Sequence, residues 1–514
     1  TLFRSKRLAI ILDDCRQINT NIYLSGLPRL EEVLFDLSYC KNMERFNIFS
    51  DKIRRLKKAE FKFCFSHFNE KEMEDIIEQV NRNFPHVKNI FFNFSGCEKL
   101  EKWVFGLPHA NSYEVLGMCF KYIMKSHFDF SWKNLEHLKR LHLGFSVTQI
   151  NDSELNLLIE EIERGLINLE SLSLDLSRCE QLNFPDIQIK NLPKLKSLNI
   201  DLSRGANMTE SSISIVGLKE LSDIKIHQND CPRLQKPVLS LQGLSKLSSL
   251  KVDYKNSNSI QAPIIKLSEI SNLHVFGLDL SHHTNIKKPT LCLHNAYGPK
   301  ELISIFKNCS VINPVWSCLQ VGELKKIVFD VDSCQILENP IIELESIKNL
   351  EELIFSFKNI QNINKPEFRI SFDPNYSNSK VSLEYLPLTD EDGQELFRLI
   401  SCSENPASSS SWKFKNCTGI KNPFFQIGNQ PEISEVLFEF NSCRDLENLA
   451  IGLPEDSYLR KLGILIKSNS LFNSLAIQNA SISKLKELDI NFDTLSIADK
   501  QLEAVFSSVN ETFL

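Results

Sequence analysis

The residues best equipped for chemistry are fourteen cysteines and eleven histidines in a chain of 514 residues. Thiols and imidazoles hold soft metals, or act as nucleophile and base, when the chain brings several together. The spacing here does not do that. There is no Cys-x-x-Cys pair, no His-Glu-x-x-His, no Gly-x-Ser-x-Gly and no glycine-rich phosphate loop. No catalytic residue, no metal and no cofactor is therefore expected. His282-His283 is a lone doublet that reads as a solvated turn, and Cys64 and Cys119 read as structural thiols. Carboxylates offer the other pattern. Asp175, Asp201, Asp253 and Asp279 stand 26 or 52 residues apart. Such even spacing spreads the charges too widely to enclose a calcium ion.

These spacings come from a repeated element. Leu166–Leu182 reads Leu-x-x-Leu-x-x-Leu-x-Leu-x-Leu-Ser-x-Cys-x-x-Leu, and its third leucine, Leu172, is followed at steps of 26 by Leu198, Ile224, Leu250 and Phe276. Extended both ways, the step gives about 19 anchors, from Leu8, Val33, Phe61, Ile90 and Val115 to Trp412, Val436, Leu462 and Leu488. Most units are apolar at the anchor and two and four residues later, the period of a half-buried strand. Strands recurring this closely stack in parallel. Cys15, Cys40, Cys97, Cys179, Cys231, Cys309, Cys334 and Cys443 each lie seven residues after an anchor. They read as a buried ladder of small hydrophobes, which points to reduced thiols and an intracellular, cytoplasmic or cytoskeletal setting.

The unit resembles the leucine-rich repeat family through Leu169-x-x-Leu172-x-Leu174 and Leu176-Ser-x-Cys179-x-x-Leu182. The strand is two residues longer than the usual pattern, and the cysteine is similar to that of cysteine-containing and ribonuclease-inhibitor-like subtypes. The resemblance implies a solenoid with a parallel front sheet. Pro185, Pro237, Pro263, Pro340 and Pro423 each precede a second alternating segment, such as Ile187-x-Ile189. The back should therefore be mostly short β-strands with a few α-helices. The spacing predicts helices near 69–82, 152–164 and 389–400, and a closing helix over 498–509.

The whole chain, 1–514, reads as one continuous solenoid. Residues 1–380 form its regular part, 381–411 an irregular unit with a helix and a Ser-rich loop, 412–497 regular repeats, and 498–514 a cap. Net charge is −6, so nucleic acid is not an expected partner. No apolar run is long enough to span a membrane.

Function then rests on the residues that the alternation turns outward, one and three positions after each anchor. The third position gathers Asp175, Asp201, Asp253, Asp279 and Asp330. Stacked about 5 Å apart, these would repel one another. They read either as an acidic strip for a partner with a basic surface or as a solvated position copied with the repeat. Exchanging the first four for Asn is expected to leave the fold intact or slightly more stable. Leu34, Phe91, Leu116 and Met118 make the N-terminal part of the face apolar; Val328, Ile354 and Leu437 do so toward the C-terminus. Exposed apolar patches mark interfaces. The expected function is a non-catalytic scaffold for protein partners, a structural or adaptor subunit of a larger assembly. The alternative is a regulator or inhibitor of another enzyme, as the ribonuclease-inhibitor-like and GTPase-activating members of the family are.

Overall fold

Strand after strand alternates apolar and polar residues, so one face of each must be buried, and a slip of one residue would turn the wrong face inward. A computed structural model of the chain describes residues 5–24, 27–50, 53–100, 102–106, 112–124, 127–280, 286–296, 298–347, 350–360, 362–363, 367–372, 378–401, 409–427, 433–453, 458–478 and 485–493. The chain divides into two compact units, Thr1–Ile260 and Gln261–Leu514. Each is a parallel β-solenoid, and most successive strands lie 25 or 26 residues apart. The closing helix expected over 498–509 lies outside the described residues, as does His282-His283.

In the first unit ten parallel strands, from Arg7–Ile11 to Ser249–Asp253, form the front sheet. Behind them run short strands: Ile18–Tyr23 with Met43–Phe49, Lys102–Gly106 with His127–Ser131, and the series Asp186–Ile189, Glu210–Val216 and Lys236–Gln242. In the second unit nine parallel strands, from Val275–Asp279 to Glu487–Asp493, form the front. Its back holds strands such as Thr290–His294, Val315–Leu319 and Ile341–Ile347. A narrow third ribbon stacks Ile286–Lys287, Ser310–Ile312, Ile336–Glu338 and Asn362–Ile363. The back is thus largely stranded, as the proline-led segments implied.

Among the described residues the three longest turns each hold a helix: α1 (Glu70–Asn83), α2 (Asp152–Gly165) and α3 (Asp390–Ser401). In these turns 31 residues separate paired front positions, Ala59 from Ile90, Leu141 from Leu172 and Val381 from Trp412. A helix advances about 1.5 Å per residue where a strand advances about 3.3 Å, so spanning the same back needs more residues. Each start is fixed by a capping box. Asn69 accepts from the Glu72 backbone while Glu72 accepts from that of Asn69; Asn151 with Glu154 and Thr389 with Asp392 repeat the exchange.

Heavy use of Phe builds the core of the first unit. Phe35, Phe61 and Phe92 stack at centroid spacings of 5.0 and 5.5 Å. A second column runs through Phe63, Phe94, Phe120 and Phe145 at 5.4, 5.5 and 5.4 Å. Parallel strands bring the same side chain of each turn into register, so a planar ring finds another ring one rung away.

The cysteine ladder is more than a column of small hydrophobes. Several of these thiols donate to the carbonyl just past the front strand of the preceding turn: Cys40 to Leu12 at 3.0 Å, Cys97 to Phe63 at 2.9 Å, Cys179 to Phe145 at 3.1 Å and Cys231 to Leu202 at 3.4 Å. Where the rung is not cysteine, Ser66, Ser257 and Asn469 make the same bond, to Leu37, Gln228 and Phe440. Burial pushes the Cys40 and Cys231 thiols up to about 11 and Cys97 up to about 12, so all three stay protonated and remain donors. The selected property is a compact donor that satisfies a buried carbonyl.

One further column has no counterpart in the sequence reading. The residue just before each ladder position lies in the left-handed region: Asp14, Tyr39, Phe65, Gly96, Tyr122, Val147, Arg178, Arg204, Asp230 and Asn256 in the first unit, with φ between 51° and 73° at most such sites in both units. Its amide donates to the next turn, as Tyr39 to Cys64 O and Phe65 to Ser95 O, both at 2.7 Å. The conformation costs a side chain with a Cβ about 1–2 kcal/mol, and the ladder hydrogen bond holds it in place.

Candidate functional site

Two anchors of the first unit need correcting. Ala59, not Phe61, stands opposite Val33 and Ile90, and Leu116, not Val115, stands opposite Ile90 and Leu141. The one-residue shift at Val115 reverses the faces. Leu116 and Met118, expected to point outward, are fully buried core residues; Val115, Gly117 and Cys119 face out instead. The reason is visible at Gly117. A Cβ there would lie 2.4 Å from the Phe91 ring, so Phe91 lies flat over the glycine and an outward side chain at 117 has no room. Trp412 pairs with Phe438 rather than Val436, a two-residue offset that leaves its faces unchanged.

The other apolar candidates do face outward. In the first unit Leu34 and Phe91 are half-buried, but Glu60 stands between them in register and pairs with Lys58 at 3.1 Å. The Lys58 ammonium also sits 5.2 Å from the Phe91 ring centre. Polar residues therefore break the N-terminal apolar patch. In the second unit Ile303, Val328 and Ile354 stand in register on consecutive strands, all half-buried. A rank of Glu301, Lys326 and Glu352 borders them, with Lys326 and Glu352 paired at 2.5 Å. Further along, Leu437 is 40% exposed and folds over Gly463. With Leu465, Ser411 and Lys380 it lines a groove of about 410 Å³.

The acidic column lies where the repeat placed it, but its carboxylates are engaged. Asp175 accepts from the Ser177 amide at 3.2 Å and hydroxyl at 2.6 Å, and its other oxygen lies 3.0 Å from the Lys121 ammonium. Asp201 accepts from the Ser203 amide at 2.9 Å. Asp253 has Lys251, Lys255 and His227 at 3.8–3.9 Å, and Asp330 has Lys307 at 3.7 Å. The side chain of Asp279 lies outside the described residues. Asp36 and Asn93 cap the same turn through Ser38 and Ser95. The recurring Asp/Asn-x-Ser is thus a turn cap at the end of the front strands that close on Asp36, Asn93, Asp175 and Asp201, and nearby lysines relieve the repulsion expected down the column. Its signal was present in the sequence as the serine two residues on.

Burial alone would push the Asp175 carboxyl up; the Ser177 hydroxyl and the Lys121 ammonium outweigh it and hold it below its ordinary value. A lowered folded value means stability that is complete above the unfolded pKa, about 3.9, and lost as pH falls through the folded value. Asn at 175 keeps the cap, as Asn93 does, but loses the pairing with Lys121. Asp175→Asn is therefore expected to melt below the wild type at pH 7, reversing the sign expected for this position from repulsion alone. The gap should close as pH drops below about 4. Thermal melts across that range check it; a gap independent of pH would exclude the ion pair as its cause.

Among the described residues no group of three or more His, Cys, Asp or Glu is placed to hold a metal ion. Cys64 and Cys119 face outward, and burial raises both thiols, against their acting as ready nucleophiles. Among the same residues, no helix is long and apolar enough to cross a membrane. No protein-family model matches the chain, and no curated protein is detectably similar to it.

Proposed function

We propose that the chain is a non-catalytic scaffold that binds other proteins on its front sheets, built as a leucine-rich-repeat-like array of about 19 units. It serves as a structural or adaptor subunit of a larger assembly inside the cell, where free thiols such as those of the ladder persist. The observation that carries this reading is the rank Ile303, Val328 and Ile354. Three branched apolar side chains stand in register on the open face of a sheet, bordered by ordered charges. Solvated sheet faces ordinarily carry polar residues at such positions, and an apolar centre with a charged rim is the anatomy of a protein interface. A basic partner draws less support, because Asp175, Asp253 and Asp330 already have cations beside them. No observation favours regulation of another enzyme over plain binding.

The test is a pair of substitutions, Val328→Lys and Ile354→Glu, in one protein, so that the new charges stand opposite one another with opposite sign. Both side chains point outward, so the thermal midpoint should stay close to that of the wild type. Quantitative comparison of what the two proteins co-purify from native source should show a defined set of subunits lost from the variant. An unchanged set would exclude this strip as the binding face.

A further inference from the structure

The left-handed column departs from ordinary turn residues in its second to sixth turns, the sixth holding Val147; the aromatic rings fall in the second to fifth. There it reads Tyr39, Phe65, Gly96 and Tyr122. Bulky residues are the rarest occupants of this conformation, and these three are also exposed, by 51%, 42% and 48%. Elsewhere the same position holds Arg204, Asp230 and Asn256, which bond to one another along the column. The fold therefore does not ask for aromatic rings here.

The rings form one stripe. Tyr39 and Phe65 stack at 5.3 Å, nearly parallel, and Phe65 approaches Tyr122 to 6.1 Å across the intervening turn. That approach depends on Gly96. A Cβ at 96 would fall 2.3 Å from the Phe65 ring, so the glycine lets Phe65 lean over the rung between. Met124, 49% exposed, follows Tyr122 two residues on. Two residues after each ring position runs a second column, tied turn to turn by Lys41 N to Cys15 O at 3.1 Å and His67 N to Cys40 O at 2.9 Å. It presents Arg16, Lys41 and His67, all exposed and without an ion pair among the described residues. Asp14 and Glu98 stand at the two ends of the stripe; within the second column, Lys41 and His67 stand beside its centre at Tyr39 and Phe65.

We propose that this rim is a docking surface for an extended acidic segment of another protein, whose apolar side chains lie on Tyr39, Phe65 and Tyr122 while its carboxylates meet Arg16, Lys41 and His67. An extended chain advances about 3.3 Å per residue and presents alternate side chains to one side. It can therefore set apolar groups against the rings and acidic groups against the parallel column of Arg16, Lys41 and His67, the two columns lying side by side. This surface is separate from the front sheet, so the Val328 and Ile354 substitutions leave it untouched and the two readings fail independently.

The test uses the full chain and a fluorescein-labelled peptide of alternating glutamate and leucine, with glutamine–leucine and lysine–leucine peptides and oligothymidylate as comparisons. Fluorescence anisotropy should show binding of the glutamate peptide alone, weakening with added salt as ions screen the contacts. The double variant Tyr39→Asn, Phe65→Asn should bind about tenfold more weakly, with a thermal midpoint equal to or above the wild type, because Asn is at ease in the left-handed region. Lys41→Glu should weaken binding as well. Equal binding of the glutamine peptide, a preference for oligothymidylate, or unchanged affinity in the double variant would each overturn the proposal. So would a drop in midpoint without loss of binding, since the rings would then serve the fold.

Discussion

Phe61→Ala is expected to lower the stability of the first unit by about 3–5 kcal/mol, the range for truncating a fully buried aromatic ring. Phe61 is wholly buried and sits between Phe35 and Phe92, with Phe84 tilted against it at 6.2 Å. Removing it leaves a cavity and breaks both stacking contacts, each worth roughly 0.5–1.5 kcal/mol beyond burial. Neighbouring rungs cannot close in, because their backbones are held a fixed strand spacing apart by ladder hydrogen bonds. Urea denaturation followed by circular dichroism measures the loss. Phe61→Leu should cost less than half as much, since it refills most of the volume. A cost for alanine of under about 1 kcal/mol would mean that the site collapses freely and that the stack is not rigid.

Glu163→Ala is the second large expected effect, about 1–3 kcal/mol. Glu163 lies in the last turn of α2 and is only 7% exposed. Its carboxylate accepts from the backbone amides of Lys190 and Asn191 and from the Asn191 side chain at 3.2 Å. Those amides end the back strand Asp186–Ile189 of the next turn. Alanine leaves them without this acceptor in a part-buried site, whereas Gln keeps one oxygen and should lose about half as much. Hydrogen exchange at Lys190 and Asn191 should quicken in the alanine variant. Exchange as slow as in the wild type would show that another group takes over.

Nothing in the sequence marks Glu163, which reads as one more hydrophilic residue of Glu-Glu-Ile-Glu-Arg. Its role depends on a contact 27 residues away, and periodic reading detects only what recurs. What recurs was legible: the 26-residue step, the stranded back announced by proline, and the helices of the longer turns. Register failed where neighbouring residues were equally apolar. Val115-Leu116-Gly117-Met118 offers two possible alternations, and only Phe91 lying over Gly117 decides between them. The ladder was found by its cysteines but misread, because Ser66, Ser257 and Asn469 share a hydrogen-bond donor rather than a hydropathy. The left-handed column shares only a backbone angle, so side-chain type could not reveal it. On the face, Asp175 was found, but its partners were not. Lys121 belongs to an earlier turn, and the cap by Ser177 emerges only once the strand end is fixed.

The direction of the ladder bonds sets how either unit should respond to force. In these sheets the hydrogen bonds between strands point from one turn to the next, along the line on which turns stack. Tension along that line pulls each bond in its own direction. The rungs are therefore loaded one after another, as in a zip, rather than all at once in shear. Side chains such as Cys179, which bonds the carbonyl just past the front strand of the turn before it, are stretched along the same line. A unit drawn out from its end should lengthen turn by turn at low, nearly even tension, and rewind as the load is released. In the assembly proposed above, such a subunit would act as an extensible spring.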